Sequence, residues 1–327
     1  MSGPRQWIEK GYFLNGPWLR TLGRALPSLL ALMARHPRLV ANANRACPDG
    51  PENLRPAELP YRIPSYREGM AFCHSDERYL RPTHLCNPRE PDIIAMAHEL
   101  GSFQKPPWAY AESVFRFVNA SIRVDFSPPK SALECLRAGH GTCIDKMSLF
   151  IALCRAGGIP ARYRLYSPQG VQALYDVYLT VDPLLQKWYD TLGFFILHGS
   201  AEVKIDGKWV VSDVSGDFYH MAAAGIPIPR FGEDPAETWI RPAGEVMQPE
   251  GLPLGFRTLV GIPFRIFRGT GRSINRSIQA NYEKGREVLA KISLEDYDRE
   301  IRKTYKPRWR ESARIASRVL REMGDGP

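Results

Sequence analysis

Apolar positions in the middle third of the chain recur at three- and four-residue steps, which is the spacing of amphipathic helices. This pattern predicts helices over residues 90–101 and 108–122. A shorter helix over residues 131–137 is predicted from a capping-box pattern, because Ser131 is followed three positions later by Glu134. These helices lead the chain to its most informative segment.

The next predicted helix begins at Cys143. Gly157 and Gly158 end it, before an alternating strand pattern over residues 161–166. Its apolar face consists of Leu149, Phe150, Leu153 and Cys154. With Thr142 as N-cap, Cys143 lies at the positive end of the helix dipole, where the thiolate is favoured over the thiol. A cysteine nucleophile needs this setting, although an arbitrary cysteine is more often a small buried apolar residue.

A β-hairpin is predicted downstream of this helix. Residues 193–205 read as a strand, and Asp206-Gly207 after them is a strong signal for a two-residue type I′ turn. If Ile205 pairs with Lys208, His198 and Asp213 become diagonal neighbours on one face of the hairpin. An imidazole and a carboxylate are then close enough to interact.

These residues suggest a Cys143, His198 and Asp213 triad. Cys143 would attack an acyl carbon, while His198 takes the thiol proton and later returns it to a leaving group. Asp213 would fix the tautomer of the imidazole. The backbone amide of Cys143 and one further donor, which the sequence does not identify, would bind the oxyanion.

Three separated blocks resemble the transglutaminase core in order and spacing. They are ALECLRAGHGTCID (132–145), LFIAL with RAGGIPAR (149–162), and HGSAEV with DGKWVVSD (198–213). The resemblance is to the transglutaminase-like family of papain-like cysteine enzymes, of the bacterial and archaeal type, over roughly residues 79–215. It implies an α+β papain-like fold in which the catalytic cysteine starts a helix packed on an antiparallel sheet. It also places Cys143, His198 and Asp213 on the family's catalytic triad.

One departure from the family pattern lies beside the predicted base. The family typically has His-Ala-Trp on this strand, whereas this chain has His198-Gly199-Ser200. Loss of the aromatic residue is expected to widen or reshape the cleft next to the nucleophile. The family includes cross-linking enzymes, peptidases, amide-forming enzymes and inactive proteins, so the resemblance alone does not select a reaction.

We predict three regions along the 327 residues. Residues 1–70 form a helical and irregular extension, 71–220 the transglutaminase-like core, and 221–327 a Gly- and Pro-rich wrap followed by basic helices. In the first region a helix is expected near residues 18–35; its aromatic and basic content would suit a membrane surface, but packing onto the main domain is the favoured interpretation. Residues 46–64 are expected to form a loop.

The long connection over residues 167–192 is expected to shape a binding cleft. Beyond it, irregular structure or short strands are expected from Ser215 to Gly271. Helices then resume: Ile274, Ile278 and Tyr282 recur at four-residue steps, Ser293 with Asp296 resembles a capping box, and a last amphipathic helix includes Trp309, Ala313, Ala316 and Leu320.

Composition favours a reduced, cytoplasmic protein that needs no cofactor. The six cysteines are scattered rather than dense, and no segment approaches the roughly 20 apolar residues that span a bilayer. Cys73-His74 and His84-Leu-Cys86 raise the possibility of zinc. The absence of a Cys-x-x-Cys or His-x-x-x-His pair argues against a metal site.

The net charge of +9 is concentrated in the C-terminal part, where residues 251–327 carry 17 Lys and Arg against 9 Asp and Glu. These basic helices suit an acidic protein partner, RNA or an anionic membrane, but a solvated helical face is the commoner explanation. No Walker loop or RNA-binding aromatic motif is present, which disfavours nucleic acid.

The sequence therefore predicts a thiol enzyme that transfers or hydrolyses an acyl group at an amide or thioester. Its substrate would be a peptide, an amide or an acyl thioester, and its class a peptidase, an amidase or an amide-forming acyltransferase. The alternative is a catalytically inactive transglutaminase-like scaffold that binds a partner through its basic tail.

Overall fold

The computed structural model describes residues 3–192 and 197–310 of the chain. Helices dominate this part, with strands confined to three small sheets. The helices are α1 (Pro4–Glu9), α2 (Gly16–Arg35), α3 (Pro37–Arg45), α4 (Pro91–Glu99), α5 (Pro107–Ser121), α6 (Ala132–Ala138), α7 (Cys143–Ala156), α8 (Gln172–Tyr178), α9 (Pro183–Leu192), α10 (Phe218–Ala224), α11 (Phe256–Ile266), α12 (Arg268–Leu289) and α13 (Leu294–Thr304). The strands are β1 (Arg123–Val124), β2 (His140–Gly141), β3 (Ala161–Tyr166), β4 (Pro168–Gly170), β5 (His198–Ile205), β6 (Lys208–Ser212) and β7 (Ile240–Pro242).

Helix α7 is the centre of the main hydrophobic core. Every residue after Cys143 in this helix is buried, as expected of a helix that is covered on all sides. It packs against α4, α5 and α6 and against strands β3 and β5. The Thr142 side chain accepts a hydrogen bond from the Asp145 N–H, and the Asp145 carboxylate accepts one from the Thr142 N–H. The predicted N-cap is thereby confirmed, and Asp145 completes a capping box.

The sheet beside α7 is antiparallel, in the order β3–β5–β6. Ile205 pairs with Lys208, so the predicted register of the hairpin is confirmed. Asp206 and Gly207 have φ values of 50° and 79°, which are the two positive φ angles of a type I′ turn. Strand β5 begins at His198, and residues 193–196 of the predicted strand lie outside the described residues.

The predicted helices before and within the core are confirmed, with ends shifted by no more than a few residues. The expectation of irregular structure or short strands from Ser215 to Gly271 is confirmed for residues 225–255, which include β7, but it was wrong where α10 and α11 lie. Helix α11 contains Pro263, whose presence disfavoured a helix in the sequence. The connection over residues 167–192 likewise contains α8 and α9. The predicted last helix falls mostly outside the described residues, although its Trp309 forms a bridge with Val171.

The C-terminal helix α12 packs closely against α10, and a glycine allows this approach. A Cβ atom at Gly285 would overlap the carbonyl oxygen of Tyr219. Within the described residues, no helix combines the length and apolar character required to cross a bilayer.

Gly285→Ala should therefore lower the free energy of unfolding by roughly 1–3 kcal/mol, because the added methyl group separates the two helices. Urea denaturation would measure the change. Gly23→Ala is the matched control, since Gly23 lies in helix α2 with nothing within 4 Å of its Cβ position. The control should be stabilised by about 0.5–1 kcal/mol through helix propensity. Equal effects of the two substitutions would contradict close packing at Gly285.

Candidate active site

The structure places Cys143 at the first position of α7, where the buried helix meets the surface. Cys143 is partly exposed, whereas the residues that follow it in α7 are buried. The free backbone N–H groups of the first helical turn point toward the same end as the thiol. A reactant can thus approach the sulfur from solvent while the helix holds the residue in place.

His198 and Asp213 are brought together by the hairpin. His198 is the first residue of β5, and Asp213 follows the last residue of β6. The Nε2 atom of His198 lies 3.5 Å from Oδ2 of Asp213. The other carboxylate oxygen, Oδ1, accepts hydrogen bonds from the N–H and the hydroxyl of Ser215, at 2.8 and 2.5 Å. Ser215 thereby holds the carboxylate toward the imidazole, a role that the sequence did not reveal.

The imidazole also interacts with the thiol. His198 is only 8% exposed, and this burial lowers its pKa. The opposing effects are larger: the negative charge of Cys143, a hydrogen bond to Cys143, and the hydrogen bond and charge of Asp213 together raise the pKa of His198 to about 10. Because Nε2 faces Asp213, Nδ1 is the nitrogen that remains for the thiol. The imidazole therefore lies between the Cys143 thiol and the Asp213 carboxylate.

Two aromatic residues enclose the imidazole. Trp239 meets the His198 ring edge-to-face, with 6.0 Å between centroids, and the Tyr166 ring lies 5.5 Å away. Trp239 precedes β7, far along the chain from the strand where the family carries its tryptophan. An aromatic neighbour of the histidine is thus supplied from a different segment, and the sequence held no local signal for it.

Close packing around position 199 explains why a glycine suits this place in the strand. A Cβ atom there would lie 2.5 Å from Cε of Met147 and 2.7 Å from Cδ2 of Leu165. The alanine that the family typically has at this position would require the side chains of Met147 and Leu165 to shift. Glycine in place of the family's alanine on this strand therefore accompanies the close packing of Met147, a residue of α7, against position 199.

A group of buried polar residues lies close to Cys143. Lys146 is one helical turn after Cys143, and its pKa is lowered by burial, although Asp217, Asp213 and Cys143 oppose this shift. Its ammonium group has no hydrogen-bond partner among the described residues. Asp217 caps α10 through its Oδ1, while its Oδ2 lies 3.6 Å from Nε2 of His220. A lysine on an otherwise apolar helix was the signal that could have pointed to this group.

Tyr178 of α8 also interacts electrostatically with Cys143. Burial, together with the negative charges of Asp217 and Cys143, raises the pKa of its hydroxyl. The hydroxyl therefore stays protonated at neutral pH and is able to donate a hydrogen bond. Helix α8 belongs to the connection in which a cleft was expected, but the sequence did not single out this tyrosine.

The alternative metal site has no counterpart in the part of the chain that the structure describes. No group of three or more His, Cys, Asp or Glu side chains there could hold a metal ion. All six cysteines are free thiols, and Cys86, Cys135 and Cys154 are buried. Burial raises the pKa of each of these three thiols.

Comparison with known proteins agrees with the resemblance seen in the sequence. Residues 94–214 match the profile of the transglutaminase-like superfamily, and this range contains Cys143, His198 and Asp213. No curated protein is significantly similar to the chain. Among solved structures, a candidate cysteine protease from Cytophaga hutchinsonii aligns with 20% identity and a TM-score of 0.31. That alignment covers 42% of this chain and 40% of the other, less than half of its length.

The matched segment contains helix α7 and the β3–β5–β6 sheet, so the predicted α+β, papain-like class with helical extensions is confirmed. Residues 94–214 of the chain are thus similar to the transglutaminase-like superfamily.

Proposed function

We propose that this protein is a cysteine-dependent enzyme that transfers or hydrolyses an acyl group at an amide or thioester bond, with Cys143, His198 and Asp213 as its catalytic residues. The superfamily match supports a thiol enzyme in general. The observation that carries the finer proposal is the position of the His198 imidazole, which interacts with the Cys143 thiol and with the Asp213 carboxylate.

In the first half of the reaction, the Cys143 thiolate attacks the carbonyl carbon and a C–S bond forms. The carbonyl electrons move to oxygen, giving a tetrahedral oxyanion. When this intermediate collapses, the bond to the leaving amine or thiol breaks and the His198 imidazolium gives its proton to that group. Cys143 then carries the acyl group as a thioester.

In the second half, neutral His198 takes a proton from water or from an acceptor amine. The deprotonated oxygen or nitrogen attacks the thioester, and the C–S bond breaks to regenerate the thiolate. Asp213, held by Ser215, keeps the imidazole oriented through both halves. Water as acceptor gives hydrolysis, and an amine gives acyl transfer.

The oxyanion needs two donors on the thiol side of the carbonyl. The backbone N–H of Cys143 is one, because an N–H at the first position of a helix has no partner within the helix. The Tyr178 hydroxyl is the second in this proposal, because it is protonated and lies near Cys143.

Cys143→Ala should abolish turnover of a panel of peptide, glutamine-amide and acyl-thioester donors, and intact-mass spectrometry should detect an acyl adduct on the wild type only. Asp213→Asn should lower kcat by roughly 10²–10⁴-fold, because the imidazole loses its orienting carboxylate. Cys73→Ala, at another partly exposed thiol, should behave as the wild type. If the whole panel left Cys143 unmodified, the inactive-scaffold alternative would replace this proposal.

The pKa of His198 should fall when Cys143 is replaced by Ala. The wild-type imidazolium is stabilised by the neighbouring thiolate, so losing that negative charge favours the neutral ring. Titration of the histidine signals by NMR would show the His198 midpoint moving down from about 10. Cys73→Ala should leave it in place. An unchanged midpoint in Cys143→Ala would mean that the two groups do not form an ion pair.

Tyr178→Phe should lower kcat by roughly 10²–10³-fold, the usual effect of removing one oxyanion donor. Alkylation of Cys143 by iodoacetamide should keep its rate, because that reaction forms no oxyanion. The control is Tyr175→Phe on the same helix, whose hydroxyl instead donates to Asp190. Loss of both turnover and alkylation in Tyr178→Phe would indicate a disturbed helix α7 rather than a missing donor.

A further inference from the structure

Most exposed large apolar side chains lie in two short segments that are far apart in the sequence. Of the fourteen such side chains among the described residues, eleven come from residues 7–30 and 254–266. They are Trp7, Ile8, Phe13, Leu14, Leu19, Leu26, Leu30, Leu254, Leu259, Ile262 and Ile266. Monomeric soluble proteins rarely expose apolar residues in such concentration without a binding partner.

The exposed residues follow helical spacing on two helices. On α2 they are Leu19, Leu26 and Leu30, separated by seven and four positions. On α11 they are Leu259, Ile262 and Ile266, separated by three and four positions. Each helix therefore presents a row of apolar side chains to solvent, beside the residues that pack on the protein.

The two segments are neighbours in space. The N–H of Leu254 donates to the carbonyl of Tyr12 at 3.0 Å. The buried ring of Trp18 on α2 contacts the buried ring of Phe256 on α11, with centroids 6.0 Å apart. We call the exposed surface of residues 7–30 and 254–266 the α2–α11 face.

Basic residues outnumber acidic residues in and around these segments. Residues 1–48 and 251–268 contain ten Lys and Arg and a single acidic residue, Glu9, which gives them +9. Of the remaining chain, residues 49–250 carry −5 and residues 269–327 carry +5. Two of the ten basic residues lie beside acidic residues from elsewhere, Arg20 at Glu245 and Arg257 at Glu134. The exposed apolar rows therefore lie in a basic part of the chain.

We propose that the α2–α11 face docks on the surface of an anionic phospholipid membrane. The leucine and isoleucine rows would enter the boundary between headgroups and acyl chains, and the basic residues would meet lipid phosphates and carboxylates. RNA is disfavoured, because it would cover the apolar rows without giving them an apolar environment. A symmetric pair of two such faces is disfavoured, because it would bring two positive surfaces together.

The full-length protein should co-sediment with vesicles of phosphatidylcholine mixed with phosphatidylserine, and much less with vesicles of phosphatidylcholine alone. Binding should weaken as NaCl is raised, because salt screens the attraction between the basic residues and the lipid. Equal binding to both kinds of vesicle, or to neither, would refute the proposal. So would tighter binding to a polyuridine RNA than to the anionic vesicles.

Substitutions test whether the vesicles bind at the α2–α11 face. The double substitution Leu26→Gln with Ile262→Gln should weaken vesicle binding at least about tenfold, since both side chains would otherwise leave water. Tyr66→Gln, an exposed residue outside the face, should have no effect. Arg265→Gln with Arg268→Gln should weaken binding and flatten its salt dependence, whereas Arg286→Gln on α12 should change neither.

Two further measurements distinguish membrane docking from misfolding of the variants and from self-association. Circular dichroism should show each variant folded as the wild type, since all these side chains are exposed. Sedimentation equilibrium without vesicles should show a monomer; a dimer that the Leu26→Gln, Ile262→Gln variant dissolves would assign the face to self-association and refute membrane docking. Cys143→Ala should bind vesicles normally, so this test is independent of the proposed reaction.

Discussion

One buried guanidinium connects the segments that surround helix α7. Arg155, at the C-terminal end of α7, is fully buried and donates to the carbonyl oxygens of Ala161, Arg81 and Glu250 at 2.7–3.0 Å. The side chains of Arg81 and Glu250 form a bidentate ion pair close by. Without Arg155, each carbonyl would be left without this donor in a dry environment, at a cost of ~1–3 kcal/mol per group. Because α7 is a rigid helix fixed at this end, its other end holds Cys143 steadily against β5.

The candidate site combines groups whose charges depend on one another. A buried imidazolium would be costly alone, and in the proposed site the Cys143 sulfur and the Asp213 carboxylate favour the charged ring. Lys146 lies one turn further along α7, where burial lowers its pKa and the negative charges of Asp217 and Asp213 oppose that shift. A substitution at one of these residues is therefore expected to shift the pKa of His198 or Lys146 as well.

The sequence predicted the parts of the site that are determined by short-range structure. The start of α7 followed from Thr142 and the apolar spacing, and the placement of His198 beside Asp213 followed from a two-residue turn that sets the register. Contacts between distant segments could not be predicted in this way. Tyr178, Ser215 and Trp239 reach the site through tertiary packing, which no periodicity in the sequence encodes.

The helices that were missed have a common physical explanation. Helices α8 and α10 have seven residues each, too few for a clear periodic pattern, and α11 contains a proline in its interior. Their stability comes from packing rather than from their own residues. Examples of such packing are the contact between the rings of Trp18 and Phe256 and the packing of α12 against α10.

The close approach of Met147 and Leu165 to Gly199 makes this strand sensitive to added volume. A Cβ atom at position 199 would lie 2.5 Å from Cε of Met147 and 2.7 Å from Cδ2 of Leu165, so both side chains would have to shift. Because both side chains are fully buried, their shift would spread to the core residues that surround them. The shape of the strand beside His198 is thus linked to the packing of the whole core.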